Sequence, residues 1–324
     1  MRWDAGSVCV GAMRPLFFAL FAFCITTSLP ADIEGQTEHF LYRMPTPDEP
    51  YVDTQRDNRM FAFLGTKIML SEDCGKTWPH VAEFPEAQDI TFSVLLKNGN
   101  VLFATRERLF LSTDKLKSHR EVIVQRPEGG EYRPHTPLDP KNPGWYFHSL
   151  DGEHCFEVGG KEILVWGNYC NVLGGAVPVN VYYSTDNGET VKLAYAFGQN
   201  PKFQQKGAKP EDVKLGNPAN KLIARHIHNV TYNPAENAFY AVTGDIDRGD
   251  GNEVHWIRGT YDTAADKWDW QHVISVNSNS RFKCGGLNFI DGKCYWIADA
   301  NGLAIPNRYD RGIFFSDPKD ITDT

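Results

Sequence analysis

A short run of basic side chains, Arg225-His226-Ile227-His228, groups residues that could bind a metal ion or move protons. It leads into an apolar stretch that predicts a β-strand, in which successive side chains point to opposite faces. We therefore expect His226 and His228 on one face, and Arg225 on the other. Such a pair can ligate a metal, act as an acid and a base, or be purely structural. Because the sequence locates no third ligand, no metal site is predicted.

A second group of candidate residues lies in the loop-rich segment 126–154. His135 and His148 occur there among arginines and aromatic residues. Aromatic faces stack on sugar rings and histidine titrates near neutral pH, so the segment could bind a glycan or transfer protons. The competing interpretation is a solvated loop that has collected polar residues. His135 and His148 are therefore candidate substrate-binding residues.

A third group is acidic and lies in the segment 245–253. Asp245, Asp247 and Asp250 lie there with two glycines, and carboxylates are ligands that Ca²⁺ prefers. The pattern departs from an EF-hand, because Gly249 occupies the third ligand position. The competing interpretation is an exposed turn, in which Asp and Gly are common. Calcium at these three residues is the one cofactor that the sequence suggests.

The composition limits the class of partner and the cellular location. The chain has 324 residues, a net charge of −8 and no run rich in Lys or Arg, which argues against nucleic-acid binding. Arg14 precedes an apolar run over residues 16–25 that is short for a membrane span and typical of a signal peptide. We predict a signal peptide over residues 1–31, with Met13 as an alternative start. The mature protein would be secreted or periplasmic and free of the membrane, whereas an uncleaved anchor is the alternative.

An internal repeat organises residues 32–324, which we predict to form a single domain. Residues 68–78 are a short apolar run followed by Ser-x-Asp-x-Gly-x-Thr-Trp, and residues 181–190 repeat this pattern without the Trp. At such a turn Asp can accept backbone N–H groups, while Gly supplies a positive φ. Three weaker copies keep the register, so that the repeated Ser or Thr falls at positions 71, 112, 184, 260 and 316.

Hairpin signals lie between the copies. Asn98-Gly99, Asp291-Gly292 and the segment 233–237 each separate two short apolar runs. No long stretch has helical periodicity. A repeat unit of about 40–50 residues is typical of a propeller blade, and loop insertions would explain the longer intervals. The pattern predicts an all-β repeat fold.

The Ser-x-Asp-x-Gly-x-Thr-Trp turn resembles the Asp-box, or BNR repeat, of the sialidase-like β-propellers. The resemblance implies an all-β β-propeller of five or six four-stranded blades that binds or cleaves carbohydrate. The fifth copy lies close to the last residue of the sequence. Either the segment around residues 40–42 closes the ring as the outer strand of the last blade, which we favour, or the sequence is truncated.

The resemblance extends to a few site residues. Residues 42–45, Tyr-Arg-Met-Pro, resemble an Arg-Ile-Pro element near the start of sialidases, whose Arg helps two others to grip the substrate carboxylate. This implies a substrate-binding role for Arg43. The candidates for the other two arginines are Arg225, Arg281 and Arg308. Tyr309 is the candidate nucleophile, and Asp57 is the candidate acid from its place between Arg43 and the first repeat.

Three functions remain open from the sequence. The first is a sialidase-like glycoside hydrolase, which needs three converging arginines. The second is a polysaccharide lyase, in which His or Tyr moves protons and Arg neutralises a uronate carboxylate. The residue types for the lyase are present at His135, His148, Arg225, His226, His228 and Tyr232. The third is a glycan- or protein-binding propeller without catalysis, because a fold does not imply an activity. Convergence of His, Tyr and Arg would favour the lyase over the hydrolase.

Overall fold

The chain folds into antiparallel sheets whose strands follow one another in sequence order. The computed structural model describes residues 33–36, 38, 41–44, 46–134, 146–150, 153–169, 179–198, 216–244, 254–277, 280–299 and 311–321. Helix in these residues is confined to two single 3₁₀ turns, Ala87–Asp89 and Pro318–Asp320. The prediction of an all-β fold is therefore confirmed.

Two four-stranded meanders come first. The first sheet contains β3 (Tyr51–Arg56), β4 (Arg59–Leu64), β5 (Lys67–Ser71) and β6 (His80–Glu83). The second contains β7 (Phe92–Leu95), β8 (Val101–Ala104), β9 (Leu109–Ser112) and β10 (Arg120–Val122). They are preceded by a separate hairpin of β1 (Ile33–Gln36) and β2 (Leu41–Met44).

The third sheet is wider than predicted. Its meander is β13 (Cys155–Val158), β14 (Lys161–Gly167), β15 (Asn180–Ser184) and β16 (Lys192–Ala196). The short strands β11 (Val124–Gln125) and β12 (Glu131–Tyr132) extend its outer edge, because Gln125 bridges to Lys192 of β16. The sheet therefore has six strands instead of four.

Two further meanders complete the described residues. The fourth sheet is β17 (His226–Asn233), β18 (Ala238–Gly244), β19 (Val254–Asp262) and β20 (Lys267–Val276). The fifth is β21 (Cys284–Ile290), β22 (Lys293–Ala298) and β23 (Ile313–Ser316). The segment that we favoured as a closing strand lies in β2, which pairs with β1, so among the described residues the fifth sheet keeps three strands.

The repeated Ser or Thr occupies the third strand of every meander. Ser71, Ser112, Ser184 and Ser316 are the last residues of β5, β9, β15 and β23, and Thr260 lies near the end of β19. The predicted hairpin turns also form, since Gly99 has φ 102° between β7 and β8 and Gly292 has φ 76° between β21 and β22. The repeat found in the sequence therefore coincides with the repeat of the meanders in the structure.

Three of the repeated turns share one hydrogen-bond pattern. In the first, the Ser71 hydroxyl accepts from the Gly75 N–H at 2.8 Å and donates to Asp73 Oδ1. Asp73 in turn accepts from the backbone N–H and the hydroxyl of Thr77, and these donors lower the pKa of its carboxyl to about 2. The equivalent bonds join Ser112, Asp114 and Ser118, and also Ser184, Asp186 and Thr190.

The fourth and fifth copies depart from this pattern. Asp262 caps its turn by accepting from the N–H groups of Ala264 and Ala265, and β20 follows directly. Ser316 is followed by a 3₁₀ turn at Pro318–Asp320. In the second copy, Leu116 replaces Gly but still adopts φ 67°, because its N–H bond to Ser112 holds the left-handed conformation. The hydrogen bonds therefore define this turn better than the glycine does.

Apolar side chains fill the spaces between neighbouring sheets. All seven residues of the central strand β18 are buried, as are all four of β8. The fifth sheet differs, because Trp296 packs towards the fourth sheet whereas Ile297, Ile313 and Phe315 are exposed on its other face. No helix among the described residues is long and apolar enough to cross a bilayer.

Candidate functional site

Strands of neighbouring meanders lie side by side, and three of the first strands carry bulges near their starts. β3 contacts β7, and β17 contacts both β14 and β21. The pairing register skips one residue at Asp53 in β3, at His228 in β17 and at Gly285 in β21. A bulge re-aims the side chain of its extra residue, and bulges are common beside functional sites. One predicted site residue, His228, is such an extra residue.

The bulge brings His226 and His228 into direct contact. Their Nε2 atoms lie 3.0 Å apart, with ring centroids separated by 4.9 Å. His226 is fully buried and His228 is 5% exposed. His228 Nδ1 lies 2.8 Å from the carbonyl oxygen of Cys284, the first residue of β21. The two histidines were predicted to share one face of the strand, and in the structure their rings are in direct contact.

The partners of His228 assign its protons. A carbonyl oxygen only accepts, so Nδ1 of His228 carries a hydrogen and, in the neutral ring, Nε2 presents its lone pair. Two Nε2 lone pairs at 3.0 Å would repel, so a proton or a cation must lie between the two atoms. The pair can share one proton, which His226 donates to His228.

Tyr169 and His148 complete a group that we call the histidine–tyrosine cluster: His148, Tyr169, His226 and His228. The Tyr169 ring stacks on His226 with centroids 4.0 Å apart, and it meets the His148 ring edge-on at 6.0 Å. His148 Nδ1 lies 2.7 Å from the carbonyl oxygen of Thr91, next to β7. Tyr169 is half-buried, whereas His148 is 8% exposed. Tyr169 is therefore the member most open to a ligand.

A buried lysine lies against the same cluster. Lys283 is 4% exposed, and its Nζ atom is 3.0 Å from Asp299 Oδ2. A Cβ placed on Gly244 would come 3.0 Å from His228 Cε1 and 3.3 Å from Lys283 Cγ. Gly244 therefore provides the space in which the imidazole and the lysine stem meet. The Asp299 carboxylate compensates the charge of the ammonium.

A fourth buried histidine, His154, lies outside this cluster. His154 is 8% exposed, and its Nδ1 atom has no hydrogen-bond partner. Burial, helped by the neighbouring His148, lowers the pKa of His154 to about 4. The imidazole is therefore neutral near pH 7. Its ring lies 5.2 Å from that of Phe92, which indicates a packing role.

The other predicted site residues with described side chains are not members of the histidine–tyrosine cluster. Arg225 precedes His226 and is half-buried. Arg281 is exposed, with its guanidinium 5.8 Å from the centre of the Phe314 ring. Asp57 is exposed at φ 53° in the turn between β3 and β4. This position accounts for Asp57 as a turn residue, since Asp tolerates the left-handed conformation.

Asp57 also lies at the other end of the strands from the cluster. Arg56 Nη1, at the end of β3, donates to the carbonyl of Leu95, at the end of β7, so the two strands run in the same direction. His148 contacts the carbonyl of Thr91, just before β7 begins. Tyr232 likewise lies near the end of β17, whereas His226 begins that strand, and the tyrosine hydroxyl donates to Asn237.

Several predicted residues lie outside the described part of the chain. They are His135, Asp245, Asp247, Asp250, Arg308 and Tyr309. Arg43 is described only as a backbone position in β2. Among the described residues, no group of three or more His, Cys, Asp or Glu could hold a metal ion. The calcium loop and the sialidase-like residues remain predictions.

Sequence reasoning missed two members of the site. Tyr169 follows β14 without a motif, and its contact with His226 spans more than fifty residues. Nothing in the sequence distinguishes Lys283 from the other lysines, and only its burial in the structure does so. No sequence signal marks either residue; in the structure the Asn168 carbonyl, next to Tyr169, accepts the N–H of Ile227 and so ties the end of β14 to β17.

Sequence comparison does not place the chain in a family. No family model matches it, and no curated protein matches it. The extracellular domain of a one-component system from B. thetaiotaomicron aligns at 12% identity with a TM-score of 0.38, over 87% of this chain and 28% of that chain.

Two other solved structures align over most of this chain. An ancestral GH74 enzyme shows 10% identity and a TM-score of 0.29, over 90% of this chain and 51% of that one. PorZ, a surface component of the type-IX secretion system of Porphyromonas gingivalis, shows 12% identity and a TM-score of 0.27, over 78% of this chain and 30% of that one. The chain thus spans about half or less of the length of these three proteins, and the function must be argued from its own residues.

Proposed function

We propose that this protein is a secreted β-propeller with Asp-box turns that cleaves a uronate-containing polysaccharide by elimination. The observation that carries the proposal is the histidine–tyrosine cluster, in which His148 and Tyr169 meet the His226–His228 pair of β17. Convergence of His and Tyr supplies the acid and the base that a lyase needs, and Arg225, the residue before His226, is the candidate carboxylate partner. A sialidase-like hydrolase would instead need converging arginines. Of its candidate arginines with described side chains, Arg225 is half-buried, whereas Arg281 is exposed and lies over the Phe314 ring.

The meanders support the propeller part of the proposal. Five sheets follow one another in sequence, each containing a meander of consecutive antiparallel strands, and β3 contacts β7 while β17 contacts β14 and β21. Three turns carry the hydrogen bonds expected of an Asp-box. Export rests on the apolar N-terminal run over residues 16–25.

The proposed reaction needs a base, an acid and a carboxylate partner. A base removes the proton at C5 of the uronate, next to the carboxylate, and the electron pair forms the C4=C5 double bond. The C4–O bond breaks, and the leaving oxygen takes a proton from the acid. We assign the acid to Tyr169, the base to His148 and carboxylate neutralisation to Arg225. A final proton transfer from the base to the tyrosinate restores both groups, and no water is consumed.

Product analysis tests this proposal. The chain from residue 32 is incubated with polymers of uronic acids, and products are followed by mass and by ultraviolet absorbance of the new double bond. We expect unsaturated products without added water. Tyr169→Phe should reduce the rate by about 100-fold or more, since it removes a general acid. The control is Tyr232→Phe, whose hydroxyl binds Asn237 near the opposite end of β17.

Other outcomes would replace the lyase. Products that have gained water would indicate a hydrolase and direct mutagenesis to Arg43, Arg308 and Tyr309. An equal rate for wild type and Tyr169→Phe would remove Tyr169 from the chemistry.

A second candidate function is glycan binding without catalysis. It is favoured by the burial of His226 and His228, which are 0% and 5% exposed and could serve only to support Tyr169. Intact polymers with measurable binding by calorimetry, lost in Tyr169→Ala, would support this alternative. Tyrosine faces bind sugars by stacking, so Tyr169→Phe would then retain most of the affinity.

A further inference from the structure

We infer that His226 and His228 form a binding site for a divalent transition-metal ion, which both ligate through Nε2. Two ligands on one metal, each about 2.0–2.1 Å from it, lie roughly 2.8–3.4 Å apart for octahedral to tetrahedral angles. The observed Nε2–Nε2 distance of 3.0 Å falls within this range. The inference does not depend on the proposed elimination, because metal binding is measured without substrate.

The surroundings orient both imidazole rings. The Cys284 carbonyl accepts the Nδ1 hydrogen of His228, which leaves its Nε2 facing His226. This is the usual outer contact of a metal-ligating histidine. The Tyr169 ring, stacked 4.0 Å away, restrains the plane of His226. The bulge at His228 explains how rings two residues apart on one strand can converge.

The chemistry of the pair selects the class of ion. Imidazole suits Zn²⁺, Cu²⁺, Ni²⁺ and Co²⁺, whereas Ca²⁺ and Mg²⁺ prefer oxygen ligands. The nearby Lys283 ammonium is balanced by Asp299 at 3.0 Å, so it opposes a bound cation less than a lone charge would. Two imidazoles leave coordination positions open for water or substrate.

Titration of the tag-free chain with Zn²⁺ and Co²⁺ tests the site. We expect one strong site per chain by calorimetry, a visible Co²⁺ spectrum that indicates nitrogen ligation, and displacement of Co²⁺ by Zn²⁺ but not by Ca²⁺. His226→Gln and His228→Gln should each weaken binding by tenfold or more. His255→Gln is the matched control, because His255 is buried in the same sheet with its nitrogens held by Ser275 and the Ile223 carbonyl.

Two results would overturn the inference. One is the absence of Zn²⁺ binding tighter than about 1 mM by wild type. The other is equal affinity in wild type and both variants when circular dichroism shows them folded. If the variants do not fold, ¹H–¹⁵N spectra of the wild-type imidazoles decide. A metal-induced shift of the Nε2 signals of both rings supports the site, whereas an unchanged shared proton between them refutes it.

Discussion

At the scale of the residue, His154 is buried, and this burial determines how readily its imidazole is protonated. Its Nδ1 has no hydrogen bond, and the lowered pKa of about 4 means that the folded protein resists its protonation. An unfolded chain binds that proton below about pH 6.5. Stability from this residue is thus complete above pH 6.5 and is lost as the pH falls towards 4.

We predict that His154→Leu flattens the pH dependence of unfolding between pH 6.5 and 4. The wild-type free energy of unfolding should fall by roughly 3 kcal/mol across this window because of His154 alone, and the variant should lack that fall. Urea unfolding at a series of pH values measures both slopes. The exposed His272→Leu is the control, and an unchanged slope in His154→Leu would contradict the prediction.

Gly244 gives a second prediction at this scale. Its substitution by Ala would place a Cβ 3.0 Å from His228 Cε1, so we expect a loss of about 1–3 kcal/mol and weaker Zn²⁺ binding. Gly286→Ala is the matched control, because nothing lies within 4 Å of a Cβ there. Chemical denaturation and calorimetry measure the two effects. Equal stability of the two variants would show that the imidazole can move aside.

At the scale of the element, the repeated turn ends the third strand of three meanders. The Ser hydroxyl accepts the N–H of the Gly or Leu four residues later, and the Asp accepts the N–H and the hydroxyl of the residue two positions after that Gly or Leu. In the second sheet the Ser112 bond to Leu116 is buried. An unsatisfied buried N–H is costly, so the Ser should matter more than its neighbours in the turn.

We predict that Ser112→Ala lowers the free energy of unfolding by about 1–3 kcal/mol, because the Leu116 N–H loses its acceptor. Thr113→Ala, at the adjacent exposed position, should change stability by less than about 0.5 kcal/mol. Urea unfolding compares the two variants. If both are equally stable, the left-handed Leu116 is held by packing and not by the hydroxyl.

At the scale of the whole molecule, the sheets differ in how many faces they bury. The second and fourth sheets have central strands that are buried throughout. The fifth sheet buries Trp296 and exposes Phe315 to 63% on its other face. Alternation along β23 therefore separates Phe314, which packs into the core, from Phe315.

We predict opposite outcomes for these adjacent phenylalanines. Phe314→Ala should cost about 2–4 kcal/mol because it removes core packing, whereas Phe315→Ala should cost less than about 1 kcal/mol. Phe315→Ala should also lower the fluorescence of a dye that binds apolar surface. Similar losses of stability would mean that the outer face is covered in solution.

The sequence by itself determined the parts that depend on local bonds. The Ser at 71, 112 and 184 predicted both the turn and the strand before it, because each turn is closed by hydrogen bonds within six residues. Asn98-Gly99 and Asp291-Gly292 predicted hairpins for the same reason, since a positive φ is a property of the residue and its neighbours. The extra strands β11 and β12 were missed because they are short and are held by a single bridge to β16.

Only the tertiary structure decided which candidate residues meet. His226 and His228 were candidates from their spacing, but their Nε2 contact needs the bulge in β17 and the carbonyl of Cys284 in another sheet. Tyr169 and His148 join them from distant parts of the chain, whereas Asp57 is carried to a turn at the far end of the strands. Spacing in sequence specifies a face of one strand, while the contacts between strands depend on how whole sheets pack.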